Sequence, residues 1–99
     1  MQQAQKRAAK ASEPSRYNMV QKHMLSLLRG KQDLLWHMSL SNSVQARIVL
    51  GTTGRSFTDC QRGEVAKIAK SIETKYPSRF AITTKQVGPK RIALYIPLA

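Results

Sequence analysis

Apolar residues recur at helical spacing in two segments of the chain, and each segment carries helix start and stop signals. The first predicted helix spans residues 15–29, with Ser15 as its N-cap and Gly30 as its stop. The second spans residues 58–76 and ends before Pro77, because a proline disfavours helical backbone in the residue before it. At about 100° per residue each segment gathers its apolar side chains on one side, so both helices are predicted to be amphipathic.

The second predicted helix is cationic on the side opposite its apolar stripe. The stripe consists of Val65, Ile68, Ala69, Ile72 and Tyr76. Lys67, Lys70 and Thr74 fall on the opposite side, where we expect them to face solvent. Because exposed lysines attract phosphates, this side of the helix is a candidate for nucleic-acid contact.

The end of the chain alternates between apolar and polar positions, which predicts a β-hairpin over residues 80–98. Pairing residue 84 with residue 94 puts the apolar side chains of both strands, Phe80 and Ile82 among them, on one face, whereas a slip by one residue would bury Lys85 there. This register leaves a three-residue loop, Gly88–Lys90, which is a common hairpin length.

The same register directs one aromatic side chain outward. Tyr95 points away from the apolar face together with Thr83, unlike most of the other aromatic residues, which fall on predicted core faces. An outward tyrosine either stacks on a nucleobase or covers a neighbouring loop, and the sequence leaves both interpretations open.

The middle of the chain is predicted to hold a short helix and a short strand. The helix spans residues 31–40, and its core candidates are Leu34, Leu35, Trp36 and Met38. Residues 44–50 alternate between apolar and polar positions, and their β-branched pair Ile48-Val49 favours a short third strand. The alternative for this second segment is a two-turn helix capped by Asn42 or Ser43.

Charge changes this picture more than any other property of the chain. The 99 residues contain 17 Lys and Arg but only 5 Asp and Glu, which gives a net charge of +12. A chain this basic is expected to bind nucleic acid first, with an acidic protein as the alternative partner and with no membrane or small-molecule ligand. The 5 carboxylates are too few for much carboxylate-based catalysis or for a metal held by oxygen ligands alone. We predict neither enzyme activity nor a metal or other cofactor.

The cations are divided between an N-terminal arm and a folded domain. Residues 1–13 have no large apolar side chain after the first residue, so they are predicted to form a flexible basic arm. Lys6, Arg7 and Lys10 are its candidate phosphate contacts. The remaining residues, 14–99, are predicted to form a single small domain.

The order of the last elements resembles that of winged-helix proteins. In that family a helix enters the major groove, and the following hairpin, the wing, contacts the backbone or the minor groove. Here the helix at 58–76 is followed by a hairpin whose tip carries Lys85, Lys90 and Arg91. The resemblance implies an α+β, winged-helix-like domain of two or three helices and a C-terminal β-hairpin. It also requires a helix just before the groove-reading helix, a role that falls to residues 43–50.

These features predict a small, non-enzymatic DNA-binding protein, a transcription or replication regulator of a bacterium, phage or plasmid. An RNA-binding module is one alternative, because the Gly-x-x-Gly segment Gly51–Gly54 resembles the backbone-clamping loop of KH domains. Two glycines at this spacing more often mark an ordinary turn. Arg55 follows this segment and lies near the start of the next helix, a favourable place for a phosphate. The other alternative is a basic inhibitor or adaptor that docks on an acidic host protein or a ribonucleoprotein complex.

Histidine and cysteine positions point to structure rather than chemistry. His23 lies at the margin of the first helix's apolar side and His37 lies beside Trp36, so both are interpreted as partly buried helix residues. Cys60 is the single cysteine, which favours a reducing compartment. The opening residues have no apolar middle of the kind a secretory signal needs, so we predict a cytoplasmic protein, associated with the nucleoid if it binds DNA.

Overall fold

Two helices and four strands build the fold in the computed structural model, which describes residues 15–98. In chain order they are α1 (Arg16–Leu27), β1 (Leu34–Asn42), β2 (Gln45–Thr52), α2 (Asp59–Lys75), β3 (Thr83–Gly88) and β4 (Arg91–Pro97). The strands form one antiparallel sheet in the order β1-β2-β4-β3. The predicted α+β class and the C-terminal β-hairpin are therefore confirmed.

Both amphipathic helices form where the sequence predicts them. The Ser15 hydroxyl caps α1 by accepting a hydrogen bond from the Asn18 N–H at 3.1 Å. Gly30 follows the helix with a φ of 81°, a left-handed conformation that glycine adopts without strain. Thr58 caps α2 in a capping box with Gln61, in which each side chain accepts the other residue's backbone N–H. Local start and stop signals thus decide the helix ends.

The predicted helix at residues 31–40 is wrong, because most of this segment is strand β1. Its residues pair with β2, for example Met38 with Ile48. The two strands are joined at a turn in which the Asn42 carboxamide oxygen accepts the Val44 N–H at 2.9 Å. Asn42 therefore stabilises a turn rather than capping a helix, and the turn supplies β1 with a partner strand for its backbone groups.

The predicted strand at residues 44–50 is confirmed as β2, and its pairing decides the topology. β2 lies between β1 and β4, with Ile48 opposite Leu94. The two hairpins consequently form a single sheet. A winged-helix arrangement is not confirmed, because strands β1 and β2 occupy the place where that fold needs a helix before α2.

One apolar core lies between the helices and one face of the sheet. The helices contribute Val20, Met24 and Ile72, and the central strands contribute Ile48 and Leu94, all of them almost fully buried. Along β2, buried residues alternate with half-buried ones, so the other face of the sheet does not share this core. Both helices therefore lie on the same side of the sheet.

The C-terminal hairpin has the predicted register with a tighter turn. Thr84 pairs with Leu94, as the alternation predicts. Gly88 pairs with Arg91, so the turn consists of two residues rather than the predicted three. Val87, just before Gly88, forms a bulge and has no partner on β4.

Strand β3 begins at Thr83, three residues later than predicted. The Ile82 N–H donates to the Glu73 carboxylate of α2 at 3.2 Å instead of joining the sheet. Phe80 precedes the strand and is 61% exposed, so its predicted place on the apolar face is wrong. The contact with α2 therefore takes the Ile82 N–H out of the hydrogen bonding of the sheet.

His23 lies in the contact between the two helices, half-buried as its position on α1 predicts. Its Nε2 atom is 2.8 Å from the Ser71 Oγ, and its ring meets the Tyr76 ring edge-on with 5.7 Å between the centroids. Burial, with a smaller contribution from Lys75, lowers the pKa of His23 below its ordinary value of 6.5.

We expect the free energy of unfolding to fall on acidification, with part of the fall due to His23. The unfolded chain takes up this proton near pH 6.5, but the folded chain takes it up only at lower pH. The contribution of neutral His23 to the free energy of unfolding is therefore complete above about pH 6.5. It is lost as the pH falls through the lowered pKa of the folded state. Denaturant unfolding at several pH values should give a shallower dependence for His23→Gln, with His37→Gln as the matched control. Equal dependence in His23→Gln and the unmodified protein would contradict this assignment.

Candidate nucleic-acid interface

The sheet turns one face away from both helices, and we call this surface the open face. Residues paired directly across antiparallel strands share a face, so the pairing arranges open-face residues in rows. Three rows form the candidate site: Ser39–Arg47–Tyr95–Thr83, His37–Val49–Ala93–Lys85, and Leu35–Gly51–Arg91. Of these residues, Leu35, His37, Thr83, Lys85 and Arg91 are exposed.

The open face is positively charged, and no carboxylate of residues 15–98 lies on it. Its cations are Arg47 on β2, Lys85 on β3 and Arg91 on β4. Carboxylates in the described part of the chain lie elsewhere, Asp33 just before β1 and the others on α2: Asp59, Glu64 and Glu73. This separation of charge gives the open face a field that attracts polyanions.

Arg47 and Tyr95 stand side by side in one of the two outer rows of the open face. They are cross-strand partners on the two central strands, and the Arg47 guanidinium carbon lies 6.0 Å from the centre of the Tyr95 ring. Both residues are half-buried. The Arg47 Nε atom is shielded from solvent and has no hydrogen-bond partner within residues 15–98. The pair therefore offers two flat surfaces and one unused N–H donor.

An apolar groove lies beside this pair. Its volume is about 470 Å³, and Leu35, Val49 and Val87 line it together with Arg47 and Arg91. Leu35 is 59% exposed and Val87 is 39% exposed. Apolar surface is thus open to solvent next to two cations, a combination that suits the flat faces and the charged backbone of an unpaired nucleic-acid strand.

The three cations predicted at the hairpin tip lie close to this groove. Lys85 and Arg91 are on the open face, and Lys90 is exposed in the turn that joins β3 to β4. A second groove, of about 440 Å³, extends from Arg91 past Pro89 to Lys90. The tip therefore continues the open face along the hairpin.

The cationic side of α2 is exposed, as predicted, but it belongs to a different surface. Lys67, Lys70 and Thr74 are all exposed, while the apolar stripe of the same helix packs on the opposite face of the sheet from the open face. The fold therefore divides the predicted contact residues between two sides of the molecule.

The Gly51–Gly54 segment does not have the setting of a KH loop, which connects two helices. It begins within β2, where Gly51 pairs with both neighbouring strands, and it leads into α2. The Thr52 hydroxyl accepts the Gly54 N–H at 3.1 Å and holds the bend. Arg55 is exposed in the same bend. The resemblance to a KH loop is therefore wrong in its structural context.

Several sequence predictions concern metals, membranes and the N-terminal arm. Residues 15–98 contain no group of three or more His, Cys, Asp or Glu side chains arranged to hold a metal ion. Neither α1 nor α2, the helices of that range, has the length and apolar character needed to cross a membrane. Cys60 is exposed at the start of α2. Lys6, Arg7 and Lys10 of the predicted arm lie outside the described residues.

Sequence reasoning misses two residues of the open face. The interpretation of His37 as a partly buried helix residue is wrong, because His37 is exposed on β1. Arg47 is not among the predicted contacts, although the alternation in residues 44–50 already places it on the same side as Val49. That alternation was the available signal, but it does not reveal that Tyr95 is the partner of Arg47 across the sheet.

The chemistry available to the open face follows from its parts. Cations and unused N–H donors hold phosphate oxygens, and aromatic rings and guanidinium planes stack on nucleobases. No protein-family model, curated protein or solved structure matches the chain.

Proposed function

We propose that the protein binds single-stranded nucleic acid on the open face, as a cytoplasmic, non-enzymatic binding protein. The observation that carries this proposal is a sheet face that has cations on three of its strands, carries none of the carboxylates of residues 15–98, and presents the half-buried Tyr95 on a central strand. The predicted DNA-binding function and its RNA-binding alternative share this surface chemistry.

An unpaired strand fits this face better than a duplex does. A four-stranded sheet with an aromatic side chain on its open face stacks bases that are splayed out of a helix. In a duplex the base faces are already stacked on each other, so only the phosphates remain available to this surface. The affinity for a single strand should therefore contain a stacking contribution that duplex binding lacks.

The cations are placed to follow a backbone across the face. Same-face residues on one strand are about 6.8 Å apart, so the distance from Tyr95 to Arg91 along β4 is about 14 Å. Lys85 lies beside this path on β3, opposite Ala93. A strand stacked at Tyr95 thus passes Lys85 and reaches Arg91 within a few nucleotides.

Competition binding at matched salt tests the proposal. Labelled single-stranded oligonucleotide should be displaced more readily by unlabelled single strands than by a duplex of the same sequence. Lys85→Ala with Arg91→Ala should weaken binding and reduce the salt slope by at most about 1.4, at about 0.7 per phosphate contact on a single strand. Separate DNA and RNA competitors decide which nucleic acid is preferred.

The matched control removes the same charge from the other side of the molecule. Lys67→Ala with Lys70→Ala on α2 also lowers the net charge by two but leaves the open face intact. We expect this double variant to retain most of the single-strand affinity. Equal or better binding of duplex by the unmodified protein, or unchanged single-strand binding by the open-face double variant, would contradict the proposal.

The α2 surface is the second candidate, because Lys67, Lys70 and Thr74 are exposed along one side of a 17-residue helix. A helix of this length spans a major groove, as the predicted DNA-reading role requires. If this surface reads DNA, the α2 double variant should bind duplex more weakly and lose the difference between preferred and random sequences. Under the principal proposal the α2 double variant should show neither weaker duplex binding nor a loss of sequence preference.

A further inference from the structure

We propose that Arg47 and Tyr95 form a clamp that takes one unpaired nucleobase between the guanidinium plane and the phenol ring. This inference rests on the proposed function, since it assigns the most specific contact of the same open face. It adds a defined subsite and its ligand class, a single flat base, to a surface otherwise described by its charge.

Arg47 and Tyr95 are neighbours that a base would have to part. The guanidinium carbon lies 6.0 Å from the ring centre, within the range of a cation–π contact. A base between them adds its own thickness of about 3.4 Å, the rise per base along one strand. Admitting a base therefore requires the two side chains to swing apart by about that thickness.

The surroundings of the pair leave room for a ligand. The row that contains Arg47 and Tyr95 ends in Ser39 on β1 and Thr83 on β3, so two small hydroxyl side chains flank them. Both members of the pair project from the central strands β2 and β4, which are hydrogen-bonded on each side. The backbone beneath the clamp is therefore fixed, and only the side chains have to move.

The unused N–H of Arg47 is the second observation in favour of a ligand here. Buried donors in folded proteins almost always have an acceptor, and leaving one without a partner is destabilising. The Nε–H of Arg47 has none within residues 15–98. An oxygen of the bound nucleotide is the acceptor that the clamp would supply for this donor.

Arg47 should consequently behave as a planar stacking residue rather than as a simple charge. Lysine carries the same charge but lacks the flat, weakly hydrated surface of guanidinium. A contact with phosphate that depends only on charge tolerates Arg→Lys, whereas a stacking contact does not. Arg47→Lys therefore separates the clamp from the general electrostatic attraction that Lys85 and Arg91 provide.

A single-stranded oligonucleotide with one fluorescent 2-aminopurine, moved along the sequence, reports the stacked position by quenching. We expect Tyr95→Ala to lower affinity about 5- to 150-fold and to abolish quenching. Tyr95→Phe should remain within about twofold of the unmodified protein, because the ring is retained. Arg47→Lys should lose about tenfold in affinity with an unchanged salt slope.

Abasic substitution tests the same clamp in the unmodified protein, so that it does not depend on a variant folding. Removing one base at a time should reveal a single position whose loss weakens binding about as much as Tyr95→Ala. The two changes combined should cost no more than either alone, because they remove the same contact. Thermal unfolding of each variant checks that the fold is retained.

The failures of the clamp and of the proposed function are distinguishable. If Arg47→Lys binds and quenches like the unmodified protein, or if no single abasic position matters, the clamp is wrong. The proposed function still stands in that case, provided that Lys85→Ala with Arg91→Ala weakens binding. If the unmodified protein does not prefer single strands at all, both proposals fall together.

Discussion

Replacing Leu94 with alanine is expected to lower the free energy of unfolding by about 2–5 kcal/mol. Leu94 is fully buried on β4, between Ile48 of β2 and Thr84 of β3. It belongs to the same core cluster as Ile72, which brings the packing surface of α2 to this point of the sheet. Alanine there leaves a cavity shared by both central strands and a helix, and the rigid sheet limits how far the walls can close.

The loss is large relative to the stability of a domain of this size, which is typically about 5–15 kcal/mol in total. Denaturant unfolding followed by circular dichroism measures it. Leu40→Ala is the matched control, because Leu40 is also a strand leucine but is 60% exposed, so its loss should cost less than about 0.5 kcal/mol. Similar losses for Leu40→Ala and Leu94→Ala would contradict this account of the core.

The C-terminal hairpin is predictable because its signal is local. Period-two alternation on both strands and a short turn with Gly88 leave one register that buries the apolar side chains, and Thr84 does pair with Leu94. The bulge at Val87 was not predictable, because alternation fixes which face a residue occupies but not how the turn closes.

The sequence predicts a helix where the structure has strand β1, because a short apolar run fits the periodicity of a helix as well as that of a strand. Consecutive Leu34, Leu35 and Trp36 mask the alternation of a strand, and Leu35 is exposed rather than buried. The deciding interaction is the pairing with β2, which depends on the turn at Asn42. Propensity along a single segment does not contain that information.

The open face is predictable in part, because some of its residues follow from the local alternation of the C-terminal hairpin. The hairpin register already directs Tyr95 outward and puts Lys85 on the same side, so half of the candidate site follows from local alternation. Arg47 joins it only through the pairing of β2 with β4, which brings together residues forty or more positions apart in sequence. The place of His37 on the open face can be predicted only when β1 is identified as a strand.

Replacing Gln61 with leucine is expected to destabilise the protein by about 2–4 kcal/mol, although Gln61 lies outside the apolar core. Gln61 is almost fully buried at the start of α2. Its carboxamide oxygen accepts from the Thr58 N–H at 3.0 Å and from the Thr52 hydroxyl at 3.1 Å. Its carboxamide nitrogen lies 3.3 Å from the Asp33 carbonyl oxygen and 3.2 Å from the Asp33 carboxylate.

These contacts make Gln61 the joint between α2, the end of β2 and the residue before β1. Leucine fills a similar volume but leaves the Thr58 N–H and the buried Thr52 hydroxyl without this acceptor, at about 1–3 kcal/mol for each buried group left unpaired. Gln86→Leu, on exposed β3, is the matched control and should cost less than about 0.5 kcal/mol. Besides lower stability, Gln61→Leu should show faster hydrogen exchange at the Thr53 amide, which donates to the Asp33 carbonyl at 3.3 Å. Unchanged exchange there and a loss no larger than that of Gln86→Leu would mean that the capping of α2 does not depend on this glutamine.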